Sequence, residues 1–314
     1  MSSSHFIQLG ILRSLAAGLF IAPHYRMWSQ MNNKPITGSA GKAATGINIT
    51  PISNAEFKQF KTWIYNVAGI NLSEHKKALV MGRLASRMRH YQLEKYGDYF
   101  CLLTGGKQPV ELQIAVDLLT TNETYFFREP KHFDFLRDHI LPNHRPGRQM
   151  RVWCAASSTG EEPYSIAMTL AAALGDGPWE ILASDLSARV LERARSGHYS
   201  LERAKHIPKP HLLAYCLKGI GEQAGTFMIE AKLKNRIQFV QVNLNNPLPQ
   251  IGEFDMIFIR NVMIYFDMET KRQVIGRILP YLRSGGHLFI GHSESLNGIN
   301  ETVKALKPAI YVKP

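Results

Sequence analysis

The residues with the clearest chemical potential form a run of small side chains, Ala-Ala-Ser-Ser-Thr-Gly at 155–160. The run lies between an apolar segment and a helical pattern, where parallel α/β sheets bind cofactors and where small residues let a ligand approach the backbone. It is not G-x-G-x-x-G, and the chain contains no G-x-x-x-x-G-K-[ST], which weakens a dinucleotide or nucleoside triphosphate interpretation. A plain loop of small residues is the alternative.

Asp185 follows the predicted strand residues Ile-Leu-Ala-Ser at 181–184, about 25 residues beyond the small-residue run. A carboxylate in that place can accept hydrogen bonds from both hydroxyls of a ribose. It could equally be the N-cap of the next helix. The pairing of loop and acid at this separation favours a cofactor that carries a nucleoside.

Two further polar groups, Arg260 and Asn261, directly follow the predominantly apolar segment 254–259. The carboxyl end of a buried strand is where ligands of such sheets lie, and core packing does not explain these two residues. Residues 120–130 interleave hydrogen-bonding side chains and Arg128 with aromatic residues. That segment is either a lid over a polar ligand or a helix cap followed by an aromatic core stripe.

The elements that must position these groups alternate between short apolar runs and amphipathic helices, which predicts a doubly wound, mostly parallel α/β sheet. The predicted strands are 151–155, 180–184, 237–242, 255–259 and 287–290. The predicted helices are 161–174, 187–196 and 269–282. Residues 197–236 form an interval longer than a crossover requires, and the turn containing Gly219, Gly221 and Gly225 predicts a small antiparallel hairpin there.

The region before the sheet is helical by pattern, beginning after Ser53 and continuing over about 74–91, 94–103 and 109–119. Residues 32–50 are rich in small and polar side chains and have no apolar cluster. We therefore expect a disordered extension at 1–50, a helical domain at 51–130 and a sheet domain at 131–314.

The composition is that of a globular protein of about two domains, with 314 residues of which 45% are hydrophobic. This excludes a disordered or collagen-like chain. The three cysteines form no C-x-x-C pair, so we expect no metal site and a reduced, cytoplasmic protein. The longest early apolar run has about nine residues against the roughly 20 that a membrane helix needs, so we expect no membrane insertion.

The net charge of +12 has a local component, because residues 71–90 hold five Lys or Arg and one Glu. On a helix, Lys76, Arg83 and Arg87 fall on one stripe. The stripe is either a solvated basic face or a docking surface for an acidic partner, which could be nucleic acid or an acidic helix.

Four blocks of the sequence stand out: TNETYFFR at 121–128, AASSTGEEPYS at 155–165, RNVMIYF at 260–266 and GHSES at 291–295. Together they resemble the chemotaxis receptor methyltransferases of the CheR family. The resemblance runs from about Ser53 to Tyr311. It implies a Rossmann-like class I methyltransferase sheet and S-adenosylmethionine as the cofactor, with S-adenosylhomocysteine as the product. It also implies methylation of glutamate carboxylates on the cytoplasmic helical bundle of chemoreceptors, giving methyl esters in chemotaxis adaptation.

The resemblance assigns roles to individual residues. The implied cofactor contacts are Asn122, Thr124, Arg128, Glu162, Asp185, Asn243, Leu244, Arg260 and Asn261. Arg128 and Tyr265 would lie nearest the transferred methyl group. A glutamate is ionised at neutral pH and needs no general base, so we expect these two residues to orient the reactants. The glutamate-rich receptor helices give the basic stripe of Lys76, Arg83 and Arg87 a matching acidic substrate.

The resemblance also bears on partners. In this family the small inserted sheet can bind a tether peptide at a receptor's C-terminus, but Met228 stands where tether-binding members carry an arginine. We expect a monomer. A nucleic-acid or small-molecule methyltransferase on the same fold is one competitor, and the Arg260-Asn261-Val262 sequence lacks the Asn/Asp-Pro-Pro-aromatic motif of amino-methylating enzymes. A non-catalytic receptor adaptor is the other, and Asp185, Arg128 and Asn261 argue against it.

Overall fold

The computed structural model describes residues 47–314. The extension predicted for residues 1–50 therefore lies, except for residues 47–50, outside the described part of the chain. Between residues 47 and 314 no helix is both long enough and apolar enough to cross a membrane.

Four helices form the first part of the described chain: α1 (Asn54–Ala68), α2 (Lys77–His90), α3 (Tyr96–Thr104) and α4 (Pro109–Leu119). The start of α1 is fixed by a capping box, in which the Ser53 side chain accepts from the Glu56 N–H and the Glu56 carboxylate accepts from the Ser53 N–H. The apolar faces of the helices enclose one core, in which Phe60, Leu84 and Tyr99 are fully buried. The predicted helical region is confirmed.

A seven-stranded sheet with the order β6-β2-β1-β7-β8-β10-β9 follows. Its strands are β1 (Met150–Cys154), β2 (Trp179–Asp185), β6 (Ile237–Gln241), β7 (Phe254–Ile259), β8 (Leu282–Ile290), β9 (Lys304–Lys307) and β10 (Ile310–Val312). Strands β6, β2, β1, β7 and β8 are parallel to one another, and β10 pairs antiparallel with both β8 and β9. The predicted doubly wound, mostly parallel sheet is confirmed.

Helices cover both faces of the sheet, so alternate side chains of each central strand are buried in different cores. Val152 of β1 belongs to the core beneath α6, whereas Trp153 belongs to the core beneath α10. The helices of this region are α5 (Lys131–Phe135), α6 (Glu161–Leu174), α7 (Ala188–Ser196), α8 (Lys209–Tyr215), α9 (Ala231–Lys234) and α10 (Met268–Ile278). After β6 the chain returns to the other side of β1, which creates a crevice between the carboxyl ends of β1 and β7.

The last predicted helix was too long. Helix α10 ends at Ile278, a short 3-10 turn covers Leu279–Tyr281, and β8 starts at Leu282 rather than at residue 287. Pro280 explains the difference, because a proline inside an α-helix has no N–H to donate and clashes with the preceding turn. Strands β9 and β10 were not predicted, since both are short and β9 is exposed on the sheet edge.

The interval after α7 contains the predicted antiparallel element, a small sheet with the order β3-β5-β4. Its strands are β3 (His198–Ser200), β4 (Cys216–Lys218) and β5 (Thr226–Ile229). The turn between β4 and β5 requires glycine at Gly219, where a Cβ would lie 2.0 Å from the Gln223 carbonyl oxygen. We refer to residues 197–236, which contain this small sheet, as the β insertion.

Candidate active site

A cleft opens at the carboxyl edge of the sheet, beside the crevice between β1 and β7. It is lined from β1, β2, β6 and β7, and from the segment that joins α4 to α5. The structure brings together in this one cleft every residue to which the sequence assigns a cofactor or catalytic role. These are Asn122, Thr124, Arg128, Glu162, Asp185, Asn243, Leu244, Arg260, Asn261 and Tyr265.

The small-residue loop is shaped by its lack of side-chain bulk. Ser158 and Gly160 both have positive φ, at 47° and 97°. A Cβ on Gly160 would lie 2.8 Å from the Tyr199 hydroxyl and 2.9 Å from the Ala194 Cβ, so only glycine fits. The Tyr199 hydroxyl donates to the Thr159 carbonyl oxygen at 2.7 Å, which fixes the loop against the β insertion.

Asp185 ends β2 with a buried carboxylate whose two oxygens accept backbone N–H bonds from Ser158 at 2.8 Å and from Ser187 at 2.9 Å. Each carboxylate oxygen has two lone pairs, so both keep acceptor capacity toward the cleft. Burial raises the pKa of Asp185 to about 6, although the backbone donors oppose the rise. The Ser187 side chain, and not Asp185, caps α7 by accepting from the Val190 N–H.

The pKa of Asp185 predicts that affinity for the cofactor falls in mild acid. Above about pH 6 the carboxylate is ionised and accepts from ribose hydroxyls, whereas protonation below that pH removes the charge and one acceptor. Calorimetry with S-adenosylhomocysteine is expected to give weaker binding as the pH falls from about 7 to about 5. Asp185→Asn is expected to bind weakly with a flat pH profile. An affinity for the wild-type protein that does not change over that range would contradict the assignment.

Arg260 is the most buried charge in the cleft. Its guanidinium donates to Glu162 Oε2 at 2.6 Å, to Glu129 Oε2 at 2.9 Å and to the Arg128 carbonyl oxygen at 2.5 Å. Burial alone would lower the pKa of Arg260, but the carboxylates of Glu162 and Glu129 raise it above its usual value. Arg260 therefore joins the end of β7, the start of α6 and the segment after α4 into one unit.

Glu129 and Glu294 belong to this unit although the sequence analysis assigned them no role. Glu129 Oε1 accepts from Asn261 Nδ2 and from the His292 N–H, both at 3.2 Å. Although burial opposes ionisation, Arg260 lowers the pKa of Glu129 to about 2. Glu294 Oε2 accepts from the N–H groups of Asn261 and Gly291, which holds Asn261 at its positive φ of 55°. The signal for both was present, because Glu129 follows the first family block and Glu294 lies in the last.

Glu129, His132 and His292 also place one possible metal-ligand atom each within 4.8 Å of the others. The carboxylate oxygens of Glu129 already accept from Arg260, Asn261 and His292. The buried positive charge of Arg260 beside them opposes a cation. We therefore assign no metal to this cluster.

The two residues expected nearest the methyl group line the same cleft. The Arg128 guanidinium donates to the Glu123 carbonyl oxygen at 3.1 Å and lies 5.7 Å from the centroid of the exposed Tyr125 ring. Tyr265 lies in the 3-10 turn Met263–Tyr265 that follows Asn261, and its carbonyl oxygen accepts from the Asn71 N–H at 2.8 Å. Both side chains are only partly buried and can meet a substrate that enters from solvent.

The remaining wall connects the sheet to α1. Asn243 Nδ2 donates to the Val67 carbonyl oxygen at 2.6 Å, close to the end of α1. Leu244 is buried beside it and presents an apolar surface to the cleft. An apolar side chain next to an amide suits a planar heterocycle with polar edges.

The basic stripe predicted for residues 76–87 is only partly free, because two of its three side chains contact neighbouring helices. Arg87 forms a two-pronged ion pair with Glu111, Nε to Oε1 at 2.8 Å and Nη2 to Oε2 at 2.5 Å. Arg83 donates to the carboxyl end of α4. Among residues 47–314 Lys76 has no side-chain partner and is exposed, and its docking role stays a prediction. A helical wheel cannot show that a neighbouring helix supplies acceptors.

The Arg87–Glu111 pair is expected to contribute to stability, because Glu111 is only 2% exposed and also accepts from the Tyr99 hydroxyl. Arg87→Met leaves that carboxylate buried without a countercharge and should lower the free energy of unfolding by about 3 kcal/mol. Urea denaturation measures the change. Arg89→Met is the control, because it also removes one positive charge from the same helix but at an exposed position. Equal midpoints for the two variants would show that the pair adds nothing.

Comparison with known proteins gives independent evidence on the family of this chain. Residues 55–120 match the family described as "CheR methyltransferase, all-alpha domain", and residues 122–312 match "CheR methyltransferase, SAM binding domain". A chemotaxis protein methyltransferase of Escherichia coli is 41% identical over 83% of this chain and 91% of its own length. A protein of the same description from Salmonella typhimurium is 43% identical over 79% of this chain and 86% of its own.

A third relative, "Chemotaxis protein methyltransferase 2" of Pseudomonas aeruginosa, is 42% identical over 82% of this chain and 92% of its own. Among solved structures, TrmN from Thermus thermophilus aligns with a TM-score of 0.36 and 18% identity over 59% of this chain and 48% of that chain. The family matches confirm the predicted cofactor, S-adenosylmethionine. The chain therefore belongs to the CheR family of S-adenosylmethionine-dependent chemotaxis methyltransferases.

Proposed function

We propose that this chain is a protein-glutamate O-methyltransferase, which transfers the methyl group of S-adenosylmethionine to glutamate carboxylates on the cytoplasmic helices of chemoreceptors. The observation that carries the proposal is the single cleft that contains every residue for which the family resemblance implies a cofactor or catalytic role. The same cleft supports the assignment of those residues as the site. The cytoplasm, where such helices lie, is the proposed location.

The residues of the cleft fit the cofactor. Asp185 offers free lone pairs on a buried carboxylate, the Gly160 turn leaves room that a Cβ would fill, and Leu244 gives an apolar wall beside the Asn243 amide. Asp185 would hold the ribose, and Asn243 and Leu244 the adenine. The bound cofactor supplies an electrophilic methyl group on a positively charged sulfur.

The substrate carboxylate needs no base, because a glutamate with a pKa of about 4.3 is ionised at neutral pH. What the chain must supply is orientation, and Arg128 and Tyr265 line the cleft at its partly exposed side. Arg128 can hold the carboxylate by charge and Tyr265 by its hydroxyl. Because the carboxylate and the sulfonium neutralise each other in the transition state, exclusion of water from the cleft favours the reaction.

In our proposal the helical region and the sheet region have different tasks. Residues 51–130 dock the acidic receptor helices, with exposed Lys76, just before α2, as one free positive charge. Residues 131–314 bind the cofactor and carry out the transfer, and the protein acts as a monomer. The β insertion at 197–236 interrupts this second part.

The β insertion is also the proposed site for a receptor tether peptide. Strand β5 is central in the small sheet, so β4 has an unpaired edge among the described strands, and its Leu217 is exposed. An extended peptide could add to that edge as a further strand. Met228 replaces the arginine of tether-binding members, but Lys234 Nζ lies 3.7 Å from the Met228 sulfur and supplies a positive charge at the same place.

Labelled methyl transfer to a purified receptor cytoplasmic fragment tests the function. The proposal predicts a label that is released by mild base, as a carboxyl ester is, and no label on a fragment whose candidate glutamates are replaced by alanine. Base-stable label, or transfer to nucleic acid or a small molecule instead, would support the competing methyltransferase classes. Failure of the intact protein to bind S-adenosylmethionine would support a non-catalytic adaptor.

A further inference from the structure

Arg83 lies in the middle of α2 and directs its guanidinium at the carboxyl end of α4. Nη1 donates to the Leu119 carbonyl oxygen at 2.8 Å and to the Thr120 carbonyl oxygen at 2.9 Å, and Nη2 donates to Thr121 Oγ1 at 3.0 Å. The last carbonyls of a helix have no partner within the helix and carry its partial negative charge. A planar, permanently charged fork is suited to such a cluster of acceptors.

The residues that Arg83 contacts continue directly into the cleft. Thr120 Oγ1 accepts from Asn122 Nδ2 at 3.2 Å, and the Asn122 carbonyl oxygen accepts from Ser158 Oγ at 3.0 Å. The Ser158 N–H in turn donates to Asp185. A continuous set of hydrogen bonds therefore leads from α2 to the carboxylate assigned to the ribose.

We propose that Arg83 is a positioning residue of the cofactor cleft, which fixes residues 119–122 so that Asn122 and Ser158 keep the geometry that the cofactor requires. The inference rests on the proposed function of the cleft. It gives Arg83 a task different from that of Lys76, which lies in the turn just before α2. It also differs from a receptor-docking role, because three hydrogen bonds within the chain already engage both terminal nitrogens of its guanidinium.

The surroundings of Arg83 support this assignment. The side chain is partly buried, and burial lowers its pKa below the usual value, opposed by the nearby Tyr265. Arg83 thus lies close to a second residue of the cleft.

The test is S-adenosylhomocysteine binding by calorimetry, with full-length Arg83→Met and with Arg89→Met as the matched control on the exposed face of α2. We expect Arg83→Met to weaken binding at least about tenfold, since charge-assisted hydrogen bonds that order the cleft are lost. Arg83→Lys should recover part of the affinity, because an ammonium still interacts with helix-terminal carbonyls. At saturating cofactor, the receptor KM of Arg83→Met should remain within about twofold of that of Arg89→Met, because a positioning residue does not touch the receptor.

Thermal denaturation of each variant reports whether it is folded, and Thr121→Val, which removes one acceptor of the guanidinium, extends the test if Arg83→Met does not fold. Unchanged affinity in a folded Arg83→Met or in Thr121→Val, or a raised receptor KM with unchanged cofactor affinity, would overturn the positioning role and leave the proposed function standing. A wild-type protein that binds no S-adenosylhomocysteine would instead overturn the proposed function, and this inference with it.

Discussion

Replacing Arg260 with methionine is expected to abolish measurable cofactor binding and to lower the free energy of unfolding by about 3–5 kcal/mol. The side chain is 1% exposed and is the positive partner of both Glu162 and Glu129. Without it, two carboxylates remain in a buried site with no countercharge, and the pKa of Glu129, now about 2, must rise. The Arg128 carbonyl oxygen also loses its donor, so the segment that carries Arg128 is released.

Chemical denaturation and calorimetry with S-adenosylhomocysteine measure the two effects separately. Arg148→Met is a suitable control, because Arg148 pairs with Asp255 at an exposed position outside the cleft and surface pairs contribute about 0–1 kcal/mol. A second variant, Arg260→Lys, keeps the charge but not the fork, and should retain more stability than Arg260→Met while binding cofactor weakly. Cofactor affinity unchanged in Arg260→Met would show that the buried unit does not build the cleft.

Replacing Arg128 with methionine is expected to lower kcat by about 10²–10³ while leaving stability nearly unchanged. Within residues 47–314 the Arg128 side chain donates one hydrogen bond, to the Glu123 carbonyl oxygen at 3.1 Å, so few native contacts are lost. In the proposed mechanism its loss removes the charge that aligns the glutamate carboxylate, and small misplacements of reacting groups have large effects on rate. Steady-state kinetics with a receptor fragment and with varied S-adenosylmethionine would separate kcat from both KM values.

Tyr265→Phe provides the matched comparison on the other side of the cleft, and we expect a smaller fall of about tenfold because one neutral hydrogen bond is removed. Arg128→Lys should lie between the two, since an ammonium keeps the charge and loses the planar fork. If Arg128→Met raised the receptor KM and left kcat intact, the residue would bind substrate uniformly and would have no special role in the transition state.

The fold was predictable because its strongest signals are local and periodic. Apolar runs that alternate with amphipathic helices define the parallel strands, and Ser53 with Glu56 marks the first helix start. The errors lie where local signals are weak or opposed. Pro280 shortened α10, and the edge strands β9 and β10 are too short to show a period.

The cleft was predictable because its residues follow strand ends, and parallel strands bring their carboxyl ends to one edge. What the sequence could not supply is the set of pairings among distant residues. Arg260 with Glu129 spans 131 positions, and Arg83 reaches 36 positions to the end of α4. The periodicity of α2 indicated a basic stripe, but only the packing of α4 against it shows that Arg83 and Arg87 are occupied.

The most direct measurement is tandem mass spectrometry of a receptor cytoplasmic fragment after incubation with the protein and S-adenosylmethionine that carries a trideuterated methyl group. The account predicts a single deuterated methyl added to the side chain of defined glutamates, lost on mild base treatment, and added much more slowly by the Arg128→Met and Asp185→Ala variants than by the wild-type protein. A deuterated methyl on any other residue type, or equal labelling by wild-type protein and these variants, would contradict it.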